Sequence, residues 1–320
     1  MTARIGAALI DAEVVNGLGT VNDTIGFDFI SQSDQGEDLS AVGIGGGVDA
    51  YIEHGSSQFF GDAIIAGFDA VFVEDDTTQR QAAADLSFVD VLPIDGTTSL
   101  GAIFVGDPLQ ADVDIEYTQF GGYLGIAFNA ETLGLVTGAD PAGDPMSAYF
   151  GFGAYASYSQ LDLDSNVFNV DNPLEFAALD EEVDVFSIGP MVTAALSTTF
   201  EGGFRAAIKG DAAVLYTNAD LDAVQTASNL GLPLSVSDSE NDIAFLARLT
   251  AMLGYDVSED ATLGIQGSVT ARNDYYSIVN PRSGPGLDAS DPTSYNPGPV
   301  KLDQAFLFEG EIGLFATILF

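Results

Sequence analysis

The chain has 320 residues, with 48 acidic side chains, 8 basic ones, a single histidine and no cysteine, and its net charge is −40. Its hydrophobic content of 47% is too high for a disordered chain. No run reaches the roughly 20 apolar residues that a membrane helix needs. A chain this acidic repels nucleic acid, which we therefore exclude as a partner.

The first half of the chain is predicted to contribute five strands. Strict alternation of apolar and polar residues places them over 5–14, 42–52, 64–72, 120–128 and 147–158. The second and third form a hairpin that turns around 54–57. The stretch 111–117 alternates in the opposite phase, so we expect a β-bulge near Thr118 and Gln119. Residues 84–91 and 100–105 could add a further hairpin, and 129–146 could hold a short helix.

The second half is predicted to contribute five more strands, over 183–196, 204–217, 241–256, 261–276 and 306–320. In each of them the charged residues keep to one face. A soluble salt-adapted protein would spread its acids over every surface, so this segregation favours a barrel in lipid. Short connections at 198–203 and 256–260 alternate with long polar ones at 162–182, 218–240 and 277–302. This alternation is typical of the periplasmic and extracellular ends of an up-and-down barrel.

The C-terminal stretch is long enough to cross a bilayer as a tilted strand. Its alternating apolar residues include Leu314, Ala316, Ile318 and the terminal Phe320. This pattern resembles the signal by which bacterial outer-membrane β-barrels are recognised for insertion. The resemblance implies an outer-membrane location, with outer-membrane lipid and the barrel-assembly machinery as partners. The first ten residues lack the layout of a signal peptide, so the leader is expected to be absent from this numbering.

These patterns together predict an all-β fold, namely a transmembrane antiparallel up-and-down β-barrel of about ten strands. Twelve strands are the alternative, if the further hairpin joins the barrel. We see no domain boundary, so residues 1–320 are predicted to form a single outer-membrane β-barrel domain.

Charged residues on the polar faces of the strands are predicted to line the lumen. The candidates are Arg205, Lys209, Arg248, Arg272, Glu309, Glu311, Asp49 and Asp69. Two interpretations remain open for this set. A basic side facing an acidic side would set up a transverse field across a water-filled constriction and select polar solutes. Alternatively, the same charges form a salt-bridged plug, as in small barrels whose interiors are filled by side chains.

Acidic clusters fall in the predicted extracellular loops. They include Asp34, Glu37, Asp38, Glu74, Asp75 and Asp76, and also Asp180, Glu181 and Glu182. Hard oxygen ligands at this density can bind Ca²⁺ or Mg²⁺ weakly, although a solvated acidic surface is the default interpretation. The single histidine, His54, falls in a predicted periplasmic turn. Without a second histidine or any cysteine, a histidine-paired triad or a tetrahedral zinc site has almost no ligands, so we expect no enzyme and no other cofactor.

The segments 186–190, 200–204 and 212–216 resemble the hairpins of the Legionella-type major outer-membrane protein family of pore-forming barrels. That resemblance implies a non-enzymatic porin without a cofactor. The predicted function is therefore a passive diffusion channel for small hydrophilic solutes or ions. The alternative is a structural or surface-interaction barrel with a closed lumen and acidic, cation-binding extracellular loops. The sequence leaves open whether the protein is a homo-oligomer.

Overall fold

The computed structural model describes residues 1–13, 20–22, 28–30, 38–57, 61–81, 89–91, 94–95, 103–104, 109–129, 146–228, 231–279 and 299–318. Within these ranges the chain forms β-strands joined by turns. The described part of the chain contains no helix that is long and apolar enough to cross a membrane.

Ten strands pair in one antiparallel sheet that closes on itself as a barrel. Their bounds are β1 Thr2–Glu13, β4 Asp38–Ser57, β5 Gly61–Gln81, β8 Leu109–Asn129, β9 Met146–Asn169, β10 Phe176–Phe200, β11 Phe204–Ala227, β12 Leu234–Ser258, β13 Ala261–Val279 and β14 Lys301–Ile318. Around the ring their order is β1-β14-β13-β12-β11-β10-β9-β8-β5-β4. Strand β1 pairs with both β14 and β4, and these two ladders complete the ring. The predicted all-β antiparallel class is confirmed, whereas the number of strands that cross a membrane stays a prediction.

Four short strands form a second sheet in the order β3-β2-β6-β7. They are β2 Thr20–Asn22, β3 Asp28–Ile30, β6 Val89–Val91 and β7 Ile103–Phe104. Strands β6 and β7 pair with each other, as the further hairpin requires, but they lie in this small sheet and not in the ring. The twelve-strand alternative is therefore not what the described residues form. The helix expected within 129–146 falls largely outside the described residues.

Apolar side chains cover the outside of the half of the barrel that holds the chain termini. We call this half the lower half. The outward residues of 186–200 on β10, 204–216 on β11, 243–257 on β12, 263–271 on β13 and 306–318 on β14 form what we call the apolar belt. The segment 204–216 advances roughly 40 Å along its strand, or roughly 30 Å along the axis of a barrel whose strands tilt by ~40°. That height equals the roughly 30 Å of hydrocarbon in a bilayer.

In the upper half the two faces of each strand exchange their chemistry, which we call the inversion: apolar side chains face the lumen and acidic ones face outward. On β8, Val113 and Tyr117 are buried inside, whereas Asp114 and Glu116 are exposed outside. The register of β8 with both neighbours is continuous through Thr118, so the expected bulge is wrong. Apolar residues change from outward to inward positions because the lumen changes from polar to apolar at this height, and not because the pairing register of the strand shifts.

The same inversion explains why two stretches that were expected to be loops are strands. The stretches 162–182 and 218–240 were expected to be long loops, but the strands continue through most of them. Strand β9 runs to Asn169 and β10 starts at Phe176, which leaves six connecting residues between the two strands. Because their outward residues are acidic, these stretches have the amino-acid composition of loops.

The β4–β5 turn was expected at 54–57, but β4 runs through Ser57, so the backbone of His54 belongs to a strand.

Candidate functional site: the lumen and the outer wall

Two ion pairs cross the lumen in the lower half. Lys209 on β11 places its Nζ 3.3 Å from Asp49 Oδ1 on β4. Arg248 on β12 donates from Nη1 and Nη2 to the two carboxylate oxygens of Asp69 on β5, at 3.2 and 3.1 Å. In each pair the two strands are five places apart in a ring of ten, so each pair spans the full diameter of the barrel. We call these four residues the ionic layer. The predicted basic and acidic sides of the lumen are therefore in direct contact.

Further polar groups surround the ionic layer. Arg4 Nη1 lies 3.4 Å from Asp49 Oδ2, and Lys209 Nζ lies 3.4 Å from Asp211 Oδ2. Lys209 also donates to the hydroxyl of Tyr123 at 2.9 Å, and that hydroxyl donates to Asp49. Because an unpaired buried charge is costly, partners on several strands are what keep these charges stable inside the barrel.

The predicted lumen residue Arg272 is fully buried above the ionic layer. It forms an ion pair with Asp274 on its own strand and donates from Nη2 to Ser157 Oγ on β9 at 3.3 Å. The buried carboxylate of Glu309 lies within the electrostatic influence of both Arg248 and Arg272. Buried charges thus continue upward from the ionic layer and interact with it electrostatically.

The last two predicted lumen residues lie lower or make neutral contacts. Arg205 pairs with Asp256 at 2.8 Å, close to the short turns of the lower end. Glu311 accepts hydrogen bonds from Gln266 Nε2 at 3.3 Å and Ser268 Oγ at 3.4 Å. All eight predicted lumen residues thus belong to the inward alternation of their strands, and each one has a polar or charged neighbour.

The upper lumen is filled by apolar side chains, which we call the upper core. Its larger members include Val71, Val73, Ile94, Val113, Tyr117, Leu161, Leu163, Leu179, Val183, Val185, Leu221, Tyr275, Tyr276 and Ile278. The rings of Tyr117 and Tyr275 meet edge to face across the lumen, with centroids 6.1 Å apart. Ile94 comes from the connection between β6 and β7 and enters the same core. Its N–H donates to Gln225 Oε1 at 3.1 Å, and its carbonyl accepts from Val300 N at 2.9 Å.

One carboxyl group lies in this apolar environment. Glu181 on β10 is 0% exposed, and neither of its carboxylate oxygens has a hydrogen-bond partner within the described residues. Leu163 and Ala223 lie opposite it on the two neighbouring strands. Burial raises the pKa of Glu181 to about 8, and the charge of Asp180 adds to the effect. At neutral pH the group is therefore mostly protonated. Sequence reasoning placed Glu181 in an acidic loop, and only its phase relative to Leu179 and Val183 could have indicated burial.

A cavity of about 340 Å³ lies below the ionic layer at the end of the barrel that holds the chain termini. We call it the vestibule. Asp49, Tyr123 and Lys209 lie on its inner side, and Glu53 and Thr317 are among its other lining residues. The rings of Tyr51 and Tyr149 have centroids 5.3 Å apart and are tilted by 39°. Sequence reasoning did not identify the vestibule, because its aromatic residues come from strands that are distant in the chain.

Rows of carboxylates cross the outside of the barrel above the apolar belt. Glu74, Glu116, Asp162, Glu182 and Asp222 occupy directly opposed positions on five adjacent strands. Asp114, Asp164 and Asp180 form a second such row one step higher. We call these eight residues the acidic wall. Directly opposed side chains have Cβ atoms only ~5 Å apart, so the carboxylates repel one another. Partial burial and the neighbouring carboxylates raise the pKa of Asp164 and of Glu182.

The structure describes only some of the predicted cation-binding residues. Asp34 and Glu37 lie outside the described residues, and the side chains of Asp38 and Asp76 are likewise not described. Glu74 belongs to the acidic wall, and Asp75 lies on the other face of the same strand. Among the described residues, no group of three or more metal-ligating side chains is close enough to hold an ion. The predicted insertion residues Leu314, Ala316 and Ile318 lie on the outward face of β14, and Phe320 is outside the described range.

No known family model matches the sequence, and no curated protein is similar enough to count as a relative. Among solved structures, the outer-membrane protease OmpT of Escherichia coli is 9% identical with a TM-score of 0.43, over 99% of this chain and 96% of that one. A FadL homologue of Pseudomonas aeruginosa and the toluene transporter TodX of P. putida are also 9% identical, with TM-scores of 0.23 and 0.22. They cover 99% of this chain and 89% and 90% of their own. These neighbours are bacterial outer-membrane proteins, but likeness at this level carries no argument about function. The Legionella-type family stays a prediction.

Proposed function

We propose that this protein is a bacterial outer-membrane barrel that crosses the bilayer with the lower half of its ring. The apolar belt supports the proposal, because it matches the height of the hydrocarbon layer and carries no charge on its outward face. Tyrosines mark its upper edge. Tyr158 and Tyr216 are exposed there, and their hydroxyls donate to Asp184 and Asn241. Such amphipathic rings favour the boundary between lipid and water. This location makes outer-membrane lipid and the barrel-assembly machinery its partners.

The lumen of this barrel is closed, and the function lies on its outer surface. The observation that carries this conclusion is the ionic layer, whose two pairs join opposite sides of the ring at 3.3 Å or less. A water-filled channel would need those pairs to separate, and the upper core would still block it above. The acidic wall then faces the outside of the cell. There it collects divalent cations, shared between opposed carboxylates, and through them contacts anionic molecules of the cell surface.

The experiment that tests the surface function measures adhesion to anionic membranes. Nanodiscs that hold the protein are mixed with phosphatidylglycerol vesicles, with and without Mg²⁺, and co-sedimentation is measured. We expect adhesion only with Mg²⁺, and we expect its loss in a triple variant with Glu116→Gln, Asp162→Asn and Glu182→Gln. The matched control neutralises the exposed acids Glu201, Glu259 and Asp260 at the opposite end of the barrel. Equal adhesion of the two triple variants would overturn the role of the acidic wall.

A passive porin is the second candidate function, and the vestibule favours it. The cavity extends from the lower end to the ionic layer, so separating the two ion pairs would lengthen the water-filled path. Planar-bilayer recordings distinguish the candidates. The closed barrel gives a membrane no more conductive than lipid alone, whereas a porin gives stable steps. In a porin, Arg248→Gln would also shift the ion selectivity towards cations, because it removes positive charge from the constriction.

A further inference from the structure

The vestibule carries an aromatic and acidic surface that the closed-barrel function does not use. Asp49, Tyr51 and Glu53 occupy alternate positions of β4 on its lumen face, so they are ~7 Å apart along the strand. The ring of Tyr149, on β9, lies beside the ring of Tyr51. An aromatic pair is thereby flanked by two carboxylates within one cavity.

The position of the aromatic pair is fixed by its neighbours. Tyr51 and Tyr149 pack against Ala63 and Ala127, two buried alanines that are directly opposed on β5 and β8. The small side chains leave room for the rings above the sheet. Tyr51 also donates its hydroxyl to Asn129 Oδ1 at 3.0 Å. The two rings are therefore held in place without a ligand, so binding would order few groups.

The charges around the vestibule leave one carboxylate without a partner. Arg4 and Lys209 form ion pairs with Asp49 and Asp211, so two cations offset two acids. Glu53 forms no ion pair within the described residues, and the N-terminal ammonium of Met1, which also lines the cavity, donates to the carbonyl of Ile318. Lys209 already lies over one ring of the cavity, with its Nζ 4.5 Å from the centroid of Tyr123. Among the described cations, none occupies the faces of Tyr51 and Tyr149 in this way.

We propose that the vestibule binds a small organic cation of the alkylammonium class. Its charged nitrogen would lie over the rings of Tyr51 and Tyr149, close to Glu53, and its alkyl groups would contact the apolar lining, which includes Met252 and Ile65. Ring faces attract cations, and the attraction is strongest for cations that carry little bound water. A hydrated metal ion would lose more water than the rings replace. Since the ionic layer lies at the inner end of the vestibule, the ligand is held at the lower end of the barrel and not passed upward.

Choline and its neutral isostere 3,3-dimethylbutan-1-ol provide the test, because they differ in charge but hardly in shape. Binding to the detergent-solubilised full chain is measured by saturation-transfer NMR titration. We expect choline to bind in the millimolar range and the isostere about tenfold more weakly, since the difference is the cation–π and carboxylate attraction. Equal binding of the two compounds, or no choline binding up to 0.1 M (roughly 100 times the expected dissociation constant), would overturn the proposal.

Matched variants locate the site. Tyr149→Leu removes a ring face and is expected to weaken choline binding about fivefold, whereas Tyr149→Phe keeps the face and is expected to leave it within about twofold. Glu53→Gln is expected to weaken binding about threefold, whereas Glu201→Gln removes a charge from an exposed turn at the same end and serves as its control. Affinity that does not distinguish Leu from Phe, or Glu53→Gln from Glu201→Gln, would contradict the assigned site. Conductance is recorded separately, so failure of the closed-barrel function and failure of this site are distinguishable.

Discussion

Glu181 makes the stability of the barrel depend on pH in a way that one substitution removes. Its pKa is about 8 in the folded protein, against an ordinary value of 4.5. The folded state therefore holds the proton more tightly, and stability falls as the pH rises from 4.5 towards 8. At ~1.4 kcal/mol per pKa unit the full loss is about 5 kcal/mol, of which about 4 kcal/mol falls between pH 5 and pH 9. In Glu181→Gln this part of the pH dependence is expected to disappear.

The assay is equilibrium unfolding by urea in detergent at pH 5, 7 and 9, with Glu182→Gln as the control. Glu182 is the next residue on the same strand, but its side chain is exposed on the acidic wall. The other acids with raised pKa values, such as Asp164 and Glu240, change stability in the same direction in every variant, so they cancel from the comparison. We expect the control to keep the large loss of stability that is due to Glu181 and to lack only the smaller contribution of the raised pKa of Glu182 itself. If the native chain and Glu181→Gln lost stability in parallel, the carboxyl group would not be buried in the upper core, and the reasoning would be refuted.

Three further predictions concern the ionic layer, the acidic wall and the apolar belt. Asp69→Asn or Arg248→Gln alone leaves a buried charge unpaired and is expected to lower the free energy of unfolding by ~3–5 kcal/mol. The double variant is expected to lose less than the sum of the two single losses. Strictly additive losses would argue against the pair. Millimolar Ca²⁺ at low salt is expected to raise the melting temperature of the native chain, but not that of the triple variant of the acidic wall. A melting temperature of the native chain that does not depend on Ca²⁺ would contradict the sharing of cations between opposed carboxylates. Val192→Arg in the belt is expected to cost ~2–4 kcal/mol of folding free energy in lipid vesicles. Ser237→Arg, on the exposed face above the belt, is expected to be tolerated. Equal folding yields of the two variants on heat-modifiability gels would mean that the belt does not face lipid.

The lower half of the fold could be read from the sequence because its two faces differ in chemistry at every step. On β11 the alternation of Phe204, Ile208 and Val214 with Arg205 and Lys209 fixes which face meets lipid. A strand has a side-chain period of two, so one assigned residue assigns the others. This is why the sequence predicts one face for all eight candidate lumen residues, whose role as pore-lining residues stays a prediction.

The upper half could not be read in this way, because alternation alone does not say which face is inside. The stretch 218–227 alternates as strictly as the segment before it, but its acids Asp220 and Asp222 point outward while Leu221 points into the upper core. If the stretch is taken as a continuation of a lipid-facing strand, its outward acids do not fit lipid, and the pattern then predicts a loop or a bulge. The pairing of Arg248 with Asp69 was likewise beyond the sequence, because the two residues are 179 positions apart and their contact depends on the number of strands in the ring.

The placement of the cations is what connects the closed lumen to the acidic outer wall. Five cations among the described residues, namely Arg4, Arg205, Lys209, Arg248 and Arg272, form ion pairs inside the barrel. Apart from Arg205, whose pair with Asp256 is partly exposed, each is held by a carboxylate from which it cannot move without leaving a buried charge unpaired. None of them can therefore neutralise the rows of opposed carboxylates on the outside, where strands β8, β9 and β10 supply no lysine or arginine at all. We propose that compensation comes from the solution, so that a lumen closed by the few cations of the chain would make the outer surface dependent on external ones.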